Sequence, residues 1–306
     1  MTTRPEIHYR SWIGITVALL TLAGALLLIA HRGPEDDALN HFQGQRAYQD
    51  IAKQLAFGPR FPGSDGHAQV IDYIHNQIRQ AGWETHLQAV DQEGDTITNI
   101  VATRGDADPE IILAAHYDTR KFADQMAGTD GLLPVPGAND GASGVAVLLE
   151  LARTIPEDAS DNVWLVFFDA EDGGGIDGAE WIRGSTAFAA SLQHSPRAVI
   201  VVDMIGDADL NIFMEQNSDP TLTRAIWDQA ARLGYHQFIP EEKYSMLDDH
   251  TPFVRAGIPS VLIIDFDYPY WHTTGDTLEK TSADSLEAVG QTLLAWILAM
   301  QGAPQP

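Results

Sequence analysis

Apolar and polar positions alternate with two periods along this 306-residue chain, and each period predicts its own element. From Gln43 to Phe57 the apolar spacing is helical and stops at the Gly/Pro-rich stretch GPRFPGSDG. A second amphipathic helix is expected over Ala68–Ala81, ended by Gly82. Short β-type runs follow in THLQAV, TITNIVAT and EIILAAH, and the stretch from Thr119 to Gly137 has no period and reads as a long loop. Beyond it, helices expected at 142–154, 181–192, 220–233 and 283–300 alternate with strands at 162–168, 198–203 and 260–265. Such alternation predicts an α/β fold, a three-layer αβα sandwich whose mixed, mostly parallel sheet carries helices on both faces. No internal repeat or second linker interrupts residues 43–302, so they are read as one domain of catalytic size.

One run fits neither period. Residues 11–30, SWIGITVALLTLAGALLLIA, are uncharged and mostly apolar. As a helix they would span about 30 Å, the thickness of a bilayer core. Arg4 and Arg10 precede the run and PEDD comes after it, so the positive-inside rule leaves residues 1–10 cytoplasmic. Residues 11–30 are then a single-pass transmembrane signal anchor and 31–42 a polar tether, with the catalytic domain periplasmic or extracellular. A cleaved signal peptide is the alternative, but the run is long for one and LIAHR is a poor cleavage site.

Composition narrows the chemistry. With 44% hydrophobic and 20% charged residues the chain is globular. It has no cysteine, which excludes disulfides, thiolate catalysis and a lipoprotein anchor. Any metal site must use His, Asp and Glu. A formal net charge of −25 repels nucleic acid and anionic headgroups, so no nucleic-acid partner is expected.

In open α/β sheets, ligands gather beyond the carboxyl ends of the strands. IILAAH ends at His116, with Asp118 two residues on. NVWLVFFDAED delivers Asp169, Glu171 and Asp172, AVIVVD ends at Asp203, and a loop bearing Trp271 and His272 comes after SVLIID. Asp140, in GANDGASG at a helix start, reaches the same edge. Each residue has a plain alternative. Asp140 could cap its helix, and His116 could be an ordinary buried strand-end histidine. The acids of FFDAED could cap the next helix or face water, Asp203 could bond backbone amides, and His272 could lie on the surface. Their convergence argues otherwise, because clustered carboxylates repel unless a cation compensates. Two His with several Asp and Glu suit a borderline-soft dication, zinc foremost. Other motifs fail: Val145 breaks a G-x-S-x-G elbow, and there is no H-E-x-x-H, no G-K-S/T loop and no EF-hand spacing in DAEDGGGIDGAE. His8, His31, His41, His67, His75, His86, His194 and His236 lack such company and are read as structural.

HYDTRKFAD, GANDGASGVAVLLELAR, FFDAED, VVDMIGD, DDHTPFVRAGIP and WHTTGDT occur in the order found in zinc aminopeptidases of the M28 type. GPRFPGS and AGW fit upstream, so the resemblance covers about residues 45–300. Asp248-Asp249-His250, and Trp271 directly before His272, resemble the glutaminyl cyclases of that fold, and HYDTRKFAD and DAED resemble the bacterial forms closely. The resemblance implies a cyclotransferase that converts N-terminal Gln of peptides or proteins to pyroglutamate with release of ammonia. The alternative is an aminopeptidase, and the minor one a non-catalytic relative. It also implies Asp140, Asp172 and His272 as zinc ligands, Glu171 as proton shuttle and Asp203 as its partner. Asp248 and Asp249 would engage substrate, and Trp271 would form an apolar wall. His116, Asp118 and Asp203 would serve a second zinc or support the first, giving one ion in a cyclase and two in an aminopeptidase. Trp181 would either line the pocket or only pack. Most relatives have Glu-Glu where this chain has Glu171-Asp172.

Overall fold

The computed structural model describes residues 42–92, 95–160 and 162–302. Residues 1–41, with the expected anchor and the tether as far as His41, lie outside the described residues, and Phe42, expected as the tether's last residue, is instead buried in the core. Among the described residues no helix is long and apolar enough to cross a membrane.

The first helix, α1, spans Gly44–Leu55 and is followed by α2, Asp65–Gln80. The latter starts three residues earlier than its periodicity predicts, because the Ser64 hydroxyl accepts a hydrogen bond from the His67 amide and caps it. The chain then forms β1 (Glu84–Gln92), β2 (Asp95–Thr103), β3 (Ile111–His116), α3 (Ala142–Thr154), β4 (Val163–Phe168), α4 (Arg183–Ser191) and β5 (Ala198–Asp203). It continues through β6 (Ile212–Glu215), α5 (Pro220–Leu233), β7 (Phe238–Tyr244), α6 (Thr251–Arg255), β8 (Ser260–Ile264) and α7 (Ala283–Gly302).

Six strands form one mixed sheet in the order β1-β2-β4-β3-β5-β8. The pairs β4–β3, β3–β5 and β5–β8 are parallel, whereas β1 and β2 run antiparallel at one edge. The parallel strands are short continuous apolar runs because both of their faces are covered. Along β3, Ile111, Leu113 and Ala115 join a core shared with α1, α2, α3, α5 and α7. Ile112 and Ala114 point the other way, toward Phe188 of α4 and Phe253 of α6. This period of two places helices against both faces.

The small parallel pair β6–β7 and the five-residue α6 are additions to the elements that periodicity predicts. Strand β7, FIPEEKY, holds a proline and three charges and is mostly exposed, a composition that argues against a strand except at an edge. The stretch from 119 to 137 is irregular apart from a 3-10 turn at Gly128–Leu132. Both its ends are tied by Arg60, whose fully buried guanidinium donates to the carbonyls of Tyr117, Pro136 and Gly137. Gly137 has φ +69°, and a Cβ there would lie 2.3 Å from Thr119 Cγ2, so only glycine fits that crossing.

Candidate active site and metal centre

Four parallel strands end at one edge, and the residues at and just beyond their carboxyl ends form a single acidic cluster. His116 closes β3, and its Nε2 lies 3.1 Å from Asp203 Oδ1 at the end of β5. The same nitrogen is 3.2 Å from Asp140 Oδ1 at the entrance to α3. His272, in the loop after β8, places Nε2 2.9 Å from Asp172 Oδ1 and 3.7 Å from Asp140 Oδ2. Asp140 therefore belongs to two triads, His116/Asp140/Asp203 and Asp140/Asp172/His272, each with its potential donor atoms within 4.8 Å of one another.

The local backbone explains how these side chains are aimed. Gly141, with φ +90°, occupies the cap position of α3, so the Asp140 carboxylate is not used as a cap. Instead Asp276 accepts from the amides of Asn139 and Asp140 and fixes that turn. Asp118 accepts from the amides of Glu171 and Asp172, both at 3.1 Å, and also lies 3.5 Å from His116 Nδ1. Ala170, Met204 and His272 are non-glycine residues in the left-handed region, at φ 53°, 46° and 53°. Each adjoins or is a residue of the cluster, the kind of strained position that surrounding contacts must hold. Asp169 turns away: it accepts from Thr98 N at 2.8 Å and meets His67 Nε2 at 2.8 Å, so it neither caps a helix nor faces water. The shorter carboxylate of Asp172 still reaches His272.

Burial without compensation shapes the electrostatics. Foremost by burial, and then through Asp172, Asp249 and Asp248, the Glu171 carboxyl is pushed well above the usual range, against the pull of His116. Burial and Asp203 raise Asp248 to about 7, and burial with Asp248 lifts Asp249 well above its usual value. Burial alone would lower the His116 imidazole, yet Asp203, Asp118 and Asp140 carry it well above 6.5. Asp140 Oδ2 and Asp172 Oδ2 are buried and accept no hydrogen bond. Orphaned carboxylate oxygens beside imidazole nitrogens fit a divalent cation, whose charge would relieve the repulsion.

A cavity of about 220 Å³ opens onto the cluster, with Glu171, Asp203 and Asp248 in its lining and Trp181, Trp271, Phe266 and Leu247 among its walls. Larger hollows exist, such as one of about 410 Å³ near Trp164 and His194, but that one holds none of these acids. Trp271 stacks on His272 at 3.8 Å between ring centroids, and Trp181 lies parallel to the same ring at 6.1 Å. Trp181 thus both lines the cavity and packs. Asp249 is fully buried and does not line it. Residues that sequence reasoning missed are Arg60, Arg120, Asp124 and Asp276, which lie in irregular segments without period.

The model for Peptidase family M28 matches residues 99–297. The chain belongs to peptidase family M28. Among solved structures, this M28 chain is similar to a glutaminyl cyclase from Porphyromonas gingivalis, with 32% identity over 85% of this chain and 99% of that one, at a TM-score of 0.79. It is also similar to a Zn-dependent exopeptidase from Parabacteroides distasonis, with 30% identity over 84% of this chain and 98% of that one, at a TM-score of 0.77. The glutaminyl-peptide cyclotransferase of Boiga irregularis is 28% identical, covering 78% of the M28 chain and 77% of that protein.

Proposed function

We propose that this M28 protein is a zinc-dependent glutaminyl-peptide cyclotransferase acting on the N-termini of peptides and proteins. The carrying observation is the aromatic-walled cavity of about 220 Å³ in which a buried Glu171 faces the shared cation cradle. Similarity over 85% of this chain to a bacterial glutaminyl cyclase supports the same reading. Its fold is taken as the three-layer zinc-aminopeptidase arrangement. Residues 11–30 serve as signal anchor and 31–41 as tether, placing the catalytic domain outside the cytoplasm; that part rests on the sequence.

Asp140, Asp172 and His272 would hold zinc, which when bound polarises the substrate carbonyl as a Lewis acid and stabilises developing negative charge. Asp248 binds the substrate's amino end, and Trp271 and Trp181 wall the cavity that receives the glutamine side chain. Glu171 takes a proton from the α-amine, which attacks the side-chain carbonyl carbon of the same residue. The new C–N bond closes the ring as the bond to the amide nitrogen breaks, and Glu171 returns its proton to the departing ammonia. Ring closure within one molecule makes orientation a large part of the rate. Burial pushes the Glu171 carboxyl above the usual carboxylate range, the direction that strengthens it as a proton acceptor. Asp203, fixed by His116, supports Glu171.

One observation favours the second reading, an M28 aminopeptidase. The second triad His116/Asp140/Asp203 is complete and shares Asp140, as a two-ion hydrolase would require. Glu171 would then deprotonate a water directed at the first peptide bond.

The proposed role is tested with Glu171→Gln on a Gln-initiated peptide. Ammonia release should fall by about 10²- to 10⁴-fold, the usual contribution of a general base, while zinc content holds. Activity within tenfold of wild type would remove Glu171 from the mechanism.

A further inference from the structure

Each histidine of the cluster is backed by a carboxylate on the nitrogen that faces away from Asp140. Behind His116 it is Asp118, which is fully buried and accepts two backbone amides. Behind His272 it is Asp124, from the irregular 119–137 segment, with Oδ1 at 3.3 Å from His272 Nδ1. Asp124 is 40% exposed at its side chain and has no comparable set of amides. What holds it is Arg120. The guanidinium donates twice to Asp124 Oδ2, from Nε at 3.1 Å and from Nη2. Its Nη1 donates to the carbonyls of Asp172 and Gly174, both at 2.9 Å, and its Cζ lies 4.6 Å from the Trp181 ring centroid. A single buried arginine thus joins three loops: its own, the one carrying Asp172 and Trp181, and, through Asp124, the one carrying His272. The Gln125 amide adds a bond to the His272 carbonyl, which helps keep that residue at its left-handed backbone.

We propose that Asp124, locked by Arg120, is a positioning residue that sets the orientation and tautomer of His272 for cation binding. The proposal rests on His272 being a ligand. With one oxygen saturated by Arg120, Asp124 offers the other to Nδ1–H, so the proton sits there and Nε2 keeps its lone pair for the cation. Because Arg120 also grips the Asp172 carbonyl, the lock fixes the spacing between Asp172 and His272. Nothing in the sequence pattern separates Asp124 from the other acids of the loop. The contact that gives it a role spans nearly 150 residues of chain.

The test uses the full chain, with zinc affinity read by competition against a chromogenic chelator and the melting temperature of the metal-free protein read in parallel. Substitution of such a partner costs about 10- to 100-fold in metal affinity. Asp124→Ala and Arg120→Met should each weaken zinc binding by that factor. Asp124→Asn, which keeps an acceptor oxygen, should fall between Asp124→Ala and wild type. Because Asp124→Ala also removes the carboxylate partner of the buried Arg120, the metal-free melting temperature of each variant shows how much general loosening accompanies its loss of affinity, and Asp124→Ala should lose affinity by more than any fall in melting temperature explains. Asp177→Ala removes an exposed acid paired with Lys121 on a neighbouring loop and should leave affinity unchanged. Zinc affinity within threefold of wild type for Asp124→Ala would overturn the proposal, and so would an equal loss for Asp177→Ala, which would mark a general charge effect. His272→Ala serves as the control. Wild-type affinity in that variant would refute the ligand assignment itself, separately from the role of Asp124.

Discussion

His67, on α2, meets Asp169 two residues before Glu171, with Nε2 2.8 Å from Oδ1. Asp169 is fully buried, also accepts from Thr98 N at 2.8 Å, and its own amide donates to Asn99. Burial by itself lowers the His67 imidazole, but the bond to Asp169 outweighs it and raises the group above 6.5. A histidine raised in the folded state contributes stability that is fully present below its ordinary value and is lost as pH rises through the folded value. His67→Gln keeps a neutral donor and removes the charge. Hydrogen bonds to charged groups are worth about 1.5–3 kcal/mol against about 0.5–1.5 for neutral ones, so the loss at pH 6 is about 1–1.5 kcal/mol. At about 2–4 °C per kcal/mol for a domain of this size, the variant should melt about 2–6 °C below wild type. The gap should close toward pH 9. Thermal unfolding of both proteins across pH 5.5–9.5, at constant ionic strength, reads it directly. A gap that stays constant or widens with pH would refute the ionic account of this contact.

Two further substitutions probe the cavity and the cradle. In Gly174→Ala a Cβ would lie 2.0–2.2 Å from Trp181 ring atoms, so the indole must move; KM should rise by about 3- to 10-fold, as for one lost aromatic contact of about 1 kcal/mol, with kcat little changed. An unchanged KM would show that Trp181 does not wall the substrate. Asp140→Asn alters the one carboxylate common to both triads, so zinc retained after dialysis, measured by atomic emission, should fall close to zero; full retention would contradict the shared-ligand geometry.

The parallel core was legible because its strands are uninterrupted apolar runs. The run expected at 162–168 forms at Val163–Phe168, and IILAAH forms Ile111–His116. The second run ends at His116 and the first is followed within four residues by Glu171 and Asp172, so the cluster's ionisable groups stand out at the strand ends. The same logic fails where stability comes from elsewhere. Strand β7 is mostly exposed and carries Pro240, so neither alternation nor β-propensity marks it. Asp276 and Asp124 act through partners more than a hundred residues away, and local periodicity holds no record of such pairs. The choice between capping and solvent for Asp169 missed a third outcome, a buried partner on α2. For Trp181 both alternatives apply together, since one face of a cavity wall must itself be packed.

The most direct test of the central claim is the product mass from one peptide on which both chemistries can act. The zinc-loaded full chain is incubated with a peptide beginning Gln-Leu, and products are resolved by mass spectrometry alongside an ammonia assay. The account predicts an intact chain lighter by one ammonia, in equal amount to the ammonia released, with no free glutamine. Free glutamine and a peptide now beginning at Leu, without ammonia, would contradict it and assign the site to peptide hydrolysis.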